Sequence, residues 1–326
     1  MILTDYFYPD PDLTWVYARQ CGVRHGTIRL PETKDFDYTD RSCWESLCTR
    51  FRNYGIQPLV VEPLPNCLHD HIKSGDTLRD ESIEKFIRMI PLMREQGIST
   101  VCFNFMAHVG WTRTDNAYPI RGGALSTAFR LEDYKCTEYA ITQHQLWENY
   151  RYFTRAVLPV AEKFDLRLAL HPDDPPLPAL GNVERIMISP ENIYKAISET
   201  PSEMLGITFC QACYKVMGAD IEQCVKNFGP KIFFVHFRNV SGDKLNFHET
   251  FHDDGSIDMA RMISLYADLT PTLPVRVDHV PAMGTPASHS SNGLPAGYSA
   301  TGRLFALGYL KGLLEMNDFQ NSQTNS

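Results

Sequence analysis

The chain has 326 residues, 43% hydrophobic and 21% charged, with a formal net charge of −8. That length suits one large domain, an α/β barrel among them. The acidic balance argues against nucleic acid or an anionic membrane as partner, since both need a basic surface. Nine cysteines, no basic-then-apolar leader and no apolar run of the ~18 residues a membrane helix needs point to reduced thiols in a cytoplasmic protein.

Short β-branched or aromatic runs recur along the chain. GTIRL (26–30), PLVVEP (58–63) and STVCFNF (99–105) come first. Between the second and third, residues 79–97 place Ile83, Phe86, Ile87 and Ile90 on one helical face and stop near Gly97. Residues 106–130 form a long loop carrying GWTRTD and RGGALS, and such loops in compact domains are more often functional than idle. A helical region spans 131–164. LRLALH (166–171) and GITFC (206–210) follow, with a helix between them opened by Ser189, Pro190 and Glu191. KIFFVHF (231–237), KLNFHET (244–250) and VRVDH (275–279) bring the count to eight, although the gap between the sixth and seventh is too short for a helix. A Gly-, Pro- and Ser-rich loop (283–297) and a last helix close the chain. The pattern predicts a single (β/α)8 TIM barrel over residues 1–316 with a polar tail at 317–326; a doubly wound sheet is the alternative.

Polar residues fall repeatedly at strand ends: His171 in LALH, Cys210 in GITFC, His236 in FFVHF, and Asp278 with His279 in VRVDH. In a barrel the C-terminal strand ends converge on one mouth, where active sites are built. Singly, each His or Cys is more often structural. Asp278 is different, because a carboxylate closing a buried strand needs a partner or a cation. Two imidazoles, a thiolate and a carboxylate suit a divalent transition ion, with Mn2+, Fe2+, Co2+, Ni2+ and Zn2+ all compatible.

Three nearby features are weaker. Cys210 and Cys213 form a CxxC, but without a thioredoxin-like setting or a second pair, so Cys213 reads as a bystander. Asp173 or Asp174 is a candidate to orient a ligand imidazole. In FHETFHDDGSID, His248 and His252 are candidates for substrate contact or for supporting a ligand, and no EF-hand pattern follows.

These residues sit in blocks that resemble the mannonate dehydratases of hexuronate catabolism: CFNFMAHVGWTRTD, LALHPDDPP, GITFC, VHFRNV, FHETFHDDGSIDM, VRVDHVPAM and GYSATGRLFALGYLKGL. The resemblance covers most of residues 55–315, as a short and divergent member. It implies a xylose-isomerase-like barrel, a divalent ion (typically Mn2+), and dehydration of D-mannonate to 2-keto-3-deoxy-D-gluconate. By motif, it implies His171, Cys210, His236 and Asp278 as ligands and His279 with Tyr298 as the acid/base pair. On this reading Tyr298 faces C2 and His279 protonates the leaving hydroxyl, or the two exchange roles. It places Arg238, Asn239, Trp111 and Arg113 on the substrate. It further implies a homo-oligomer, a dimer or tetramer. The chain departs from the family at Arg29, Gly110 and Val280. Competing readings are a related dehydratase or epimerase on another sugar, or a non-catalytic sugar-acid-binding homologue.

Overall fold

The computed structural model describes residues 1–284 and 296–324; residues 285–295 of the predicted loop and the last two of the predicted tail lie outside the described residues. Strands occur in chain order as β1 (Ile2–Phe7), β2 (His25–Ile28), β3 (Gln57–Val61), β4 (Thr100–Phe103), β5 (Asp115–Pro119), β6 (Leu125–Arg130), β7 (Arg167–Leu170), β8 (Ala179–Leu180), β9 (Val183–Glu184), β10 (Leu205–Cys210), β11 (Ile232–Phe237), β12 (Val240–Asp243), β13 (Asn246–Glu249) and β14 (Pro274–Val277). Eight of them close a parallel barrel in the order β1-β14-β11-β10-β7-β4-β3-β2. The (β/α)8 expectation is borne out, with two differences in which strands build it.

The first barrel strand is β1, a segment that the sequence reading passed over. Its run ILTDYF mixes Thr4 and Asp5 into the apolar pattern, yet both are buried. Thr4 Oγ1 donates to the Val275 carbonyl at 3.1 Å and lies 3.2 Å from Thr27 Oγ1. Asp5 pairs with Arg303 at 2.6 Å. The polar groups are satisfied across the barrel, so they do not break the strand.

The seventh predicted strand, KLNFHET, is not in the barrel. It is β13, in a separate sheet ordered β12-β13-β6-β5. Its burial alternates, Asn246 and His248 outward and Phe247 and Glu249 inward, as in a sheet with one covered face. The connection from β11 is short because β12 and β13 form an antiparallel hairpin after the barrel strand. Gly242 in β12 has φ of 112°, and a Cβ there would meet the Asn246 carbonyl at 2.2 Å, so the pairing requires glycine.

The helices shield the barrel and follow local rules. Arg79–Glu95 buries Ile83, Phe86 and Ile90, and Gly97 leaves it at a φ of 85°. Ser189 caps Pro190–Glu199 by accepting from the Asn192 amide. Thr142 and Gln145 form a reciprocal capping box before Gln143–Phe164. The final helix runs from Ala300 to Thr324, through most of the segment read as a polar tail.

Parallel register sets the site. On neighbouring strands, Cys210 pairs with His236, and His236 with Arg276. Beneath them Val60, Cys102, Ala169 and Phe234 fill the barrel. Chemistry is therefore confined to the upper end, at the C-terminal ends of the strands.

Candidate metal centre and active site

His171 follows β7, Cys210 ends β10, and His236 is the penultimate residue of β11. The donor atoms of these three lie within 4.8 Å of one another. Asp278 follows β14 and reaches the group through His236, with Oδ2 3.6 Å from Nδ1. Its other oxygen accepts from Arg276 at 2.8 Å.

Partners dictate the tautomers. His171 Nδ1 is 2.6 Å from the Pro172 carbonyl, which can only accept, so Nδ1 carries a proton and the neutral tautomer has its bare nitrogen at Nε2. That bare nitrogen is 3.2 Å from His236 Nδ1. On its far side, His236 Nε2 is 3.1 Å from the Glu62 carboxylate. Burial and Arg276 oppose charge on the His236 ring, but Glu62 and Asp278 outweigh them and push its protonation well up. Burial also opposes a Cys210 thiolate, yet the Cys213 thiol, Arg238 and the two imidazoles reverse the balance and hold it well below the ordinary thiol range. Two imidazole nitrogens and a sulfur that favours its anionic form face one small volume. This donor set fits a divalent transition ion. A second cluster, Glu62, Cys102 and His236, shares the His, but Arg276 already engages both oxygens of Glu62, at 2.8 and 2.6 Å.

A cavity of about 490 Å³ opens beside the cluster and is lined by His171, His236, Asp278, His279, Tyr298 and Trp111, among others. That volume suits a small ligand. His279 has φ of 40°, a left-handed conformation that costs a non-glycine residue about 1 kcal/mol or more. The turn separates it from Asp278. Its Nδ1 is 3.2 Å from Glu249 Oε1, and its ring lies 5.1 Å from Trp111 and 5.4 Å from Tyr298. Tyr298 is placed by a bridge to Val280, whose amide donates to the Gly297 carbonyl at 2.7 Å. Burial and the Asp278 charge push its phenol well above the usual range, against Arg276. Val280 itself is buried and does not line the cavity, whereas Arg29 and Gly110 do.

Four predicted substrate contacts lie behind the wall. Arg113 spends its guanidinium on both oxygens of Asp174 (2.8 and 3.0 Å) and on Glu249 (2.6 Å). Arg238 takes both oxygens of Glu249 (2.8 and 2.5 Å) and one of Asp174 (2.7 Å). Neither Arg has an exposed side chain or lines the cavity. Asn239 donates to the His252 and Ile257 carbonyls, at 3.0 and 3.2 Å. His252 is buried with Nε2 2.8 Å from the Phe237 carbonyl. Both tie the 250–257 loop to the end of β11 and are outside the cavity. Of the six residues named for substrate contact, the structure brings Trp111 to the cavity, and His248 lies outside it with its ring stacked on Tyr118. Asp174 serves the arginines, and Asp173 accepts from the Ile186 and Met187 amides (3.2 and 3.0 Å), so neither carboxylate orients a ligand imidazole.

Sequence reasoning passed over Glu62 and Arg276, and left Glu249 without a role. Burial would raise Glu249, but Arg238, His279 and Arg113 pull it far down, so it stands ionised against the His279 ring. Glu62 carried the signal that flagged Asp278, an acid closing an apolar strand. Glu249 was masked by the acids and histidines around it.

The D-mannonate dehydratase (UxuA) family matches this chain over residues 45–139 and 130–325. The chain belongs to the mannonate dehydratase family. A mannonate dehydratase of Streptococcus equi subsp. zooepidemicus is 32% identical, over 81% of this chain and 79% of its own length. One from Oceanobacillus iheyensis is 31% identical, over 80% and 81%. The crystal structure of mannonate dehydratase from Streptococcus suis serotype 2 superposes with a TM-score of 0.86 at 26% identity, covering 97% of this chain and 95% of that one. An L-ribulose 3-epimerase structure, at 13% identity and a TM-score of 0.62, shares the xylose-isomerase-like barrel fold. Membership makes this chain a hydro-lyase of the mannonate dehydratase family.

Proposed function

We propose that this chain dehydrates D-mannonate to 2-keto-3-deoxy-D-gluconate and water, with a divalent ion, Mn2+ foremost, held by His171, Cys210, His236 and Asp278. The carrying observation is the convergence of His171, Cys210 and His236 within 4.8 Å beside the cavity that His279 and Tyr298 line. The ion would supply the positive charge that stabilises an enediolate developing at C1 and C2 of the substrate.

The remaining chemistry belongs to side chains. The C2 proton must leave and the C3 hydroxyl must depart as water. Of the two assignments open to this pair, the contact between His279 and Glu249 supports the one with His279 as base. Glu249 at Nδ1 fixes the His279 tautomer and stabilises the imidazolium, so Nε2 is the base for C2. Tyr298, whose burial favours the protonated phenol, gives its proton to the departing hydroxyl. The C2–H electrons form the C2–C3 double bond as the C3–O bond breaks, and the enol then takes a proton at C3 from the His279 imidazolium while its C2 hydroxyl gives its proton to the Tyr298 phenolate, which leaves the ketone and restores both residues. Trp111 packs on the base and Arg113 braces Glu249, so these residues orient the base.

Metal-stripped protein resupplied with Mn2+ should convert D-mannonate to a 2-keto-3-deoxy acid, and chelator should stop it. Failure to dehydrate any member of a hexonate panel under those conditions sinks the reading. The reading also includes a cytoplasmic setting in hexuronate catabolism, which the nine unpaired cysteines support, and a homo-oligomer. Adjacent exposed Leu131 and Leu245 support a shared face, and light scattering reads the assembly.

A further inference from the structure

Cys213 is fully enclosed, does not line the cavity beside the cluster, and lies three residues beyond the proposed ligand Cys210. Cys210 ends β10 and makes no side-chain cap for the helix Gln211–Val216 that starts after it. Its sulfur is therefore not held by the helix amides. Instead, the Cys213 thiol donates to Cys210 Sγ at 3.4 Å, and Arg238 Nη1 reaches the same sulfur at 3.5 Å. The imidazoles of His171 and His236 lie within 4.8 Å of it. Arg238 also lies 3.6 Å from Cys213 Sγ, which leaves the thiol hydrogen for Cys210. The arginine is in turn fixed by Asp174 and Glu249.

We infer that Cys213 is a positioning residue, whose thiol holds the Cys210 sulfur toward His171 and His236 by donating a hydrogen bond to it. A cysteine side chain has one torsion that decides where its sulfur points, and at a strand-to-helix junction the backbone leaves it open. A partner that supports a metal ligand is commonly worth ten- to a hundredfold in affinity. The inference rests on the metal reading of this site. It gives the CxxC spacing a function that is neither redox exchange nor a second metal site.

The test uses reduced, metal-free, full-length protein titrated with Co2+ alone. Binding and the near-ultraviolet thiolate-to-cobalt band are followed, and the melting midpoint of the metal-free protein reports packing. Cys210→Ser should abolish the band. Cys213→Ala should weaken Co2+ binding about tenfold or more and shift the band. Cys213→Ser keeps a donor at this position and should recover both affinity and band. A Cys213→Ala protein that binds Co2+ as tightly as wild type with an unmoved band overturns the inference. So does a Cys213→Ser protein as deficient as Cys213→Ala, which would make sulfur volume the decisive property. Wild-type protein that shows no thiolate band overturns the metal reading as well, so the two failures are distinguishable.

Discussion

His279 shows how a single residue is recruited. Its neighbour Asp278 continues the strand direction toward the ligands, while its own positive φ turns the ring to Glu249, Trp111 and Tyr298. His279→Asn should lower kcat by about 10²-fold or more while metal content stays unchanged. Full metal-dependent turnover in that variant removes the acid/base assignment. Cys210→Ser should fail on the other axis, losing bound metal as measured on dialysed protein; unchanged metal content removes Cys210 from the ligand set. The Asp278–His279 pair was legible in sequence because acids rarely close an apolar strand without cause. Glu249 was not, because its value lies in two arginines and a histidine brought from 136, 11 and 30 residues away.

His252 is informative at the same scale. Burial holds its ring down at about 4, below the ordinary value near 6.5. Nε2 faces the Phe237 carbonyl, so the neutral ring carries its proton there and Nδ1 stays bare. Between those two pH values the unfolded chain binds a proton that the folded chain refuses. Stability from this residue is therefore complete above about pH 6.5 and is lost as pH falls toward 4, by ~3 kcal/mol at most. His252→Gln should flatten the pH dependence of the denaturant midpoint across that window. An unchanged slope would show that other groups carry it.

At the scale of elements, the β12–β13 hairpin matters most. It carries Glu249 from a separate sheet onto the barrel mouth, so the active site depends on a structure that the eight-strand repeat does not contain. Gly242→Ala drives a Cβ against the Asn246 carbonyl at a φ of 112°. It should cost about 1–3 kcal/mol locally, and it should reduce kcat with metal affinity retained, because the proposed ligands stand at the ends of β7, β10, β11 and β14. Loss of metal along with turnover would contradict that separation. The hairpin was misread as a barrel strand because both present a short run of β-branched and aromatic residues. Only its alternating burial, and the missing helix before it, distinguish the two.

The whole molecule is closed by its two ends. β1 inserts between β2 and β14, and Asp5 on it forms a buried pair with Arg303 in the last helix. Removing one partner of such a pair leaves an uncompensated buried charge, typically costing about 3–5 kcal/mol. Arg303→Met should shift the denaturant midpoint by a corresponding amount. A shift below about 1 kcal/mol would show that Asp5 is accommodated by protonation instead.

The sequence by itself determined the barrel repeat and the level at which its polar residues emerge, where the structure gathers His171, Cys210 and His236. Those properties are periodic, and periodicity survives in one dimension. Only the tertiary structure decided that β1 completes the ring and that Arg113, Arg238 and Asn239 serve as internal braces. It also decided that Glu62 joins the lining beside His236, and that Glu249 and Cys213 stand directly behind the residues that line the site. Such roles depend on which charge or thiol lies within about 3 Å of which other, and residues far apart in the chain acquire that distance only when the barrel closes.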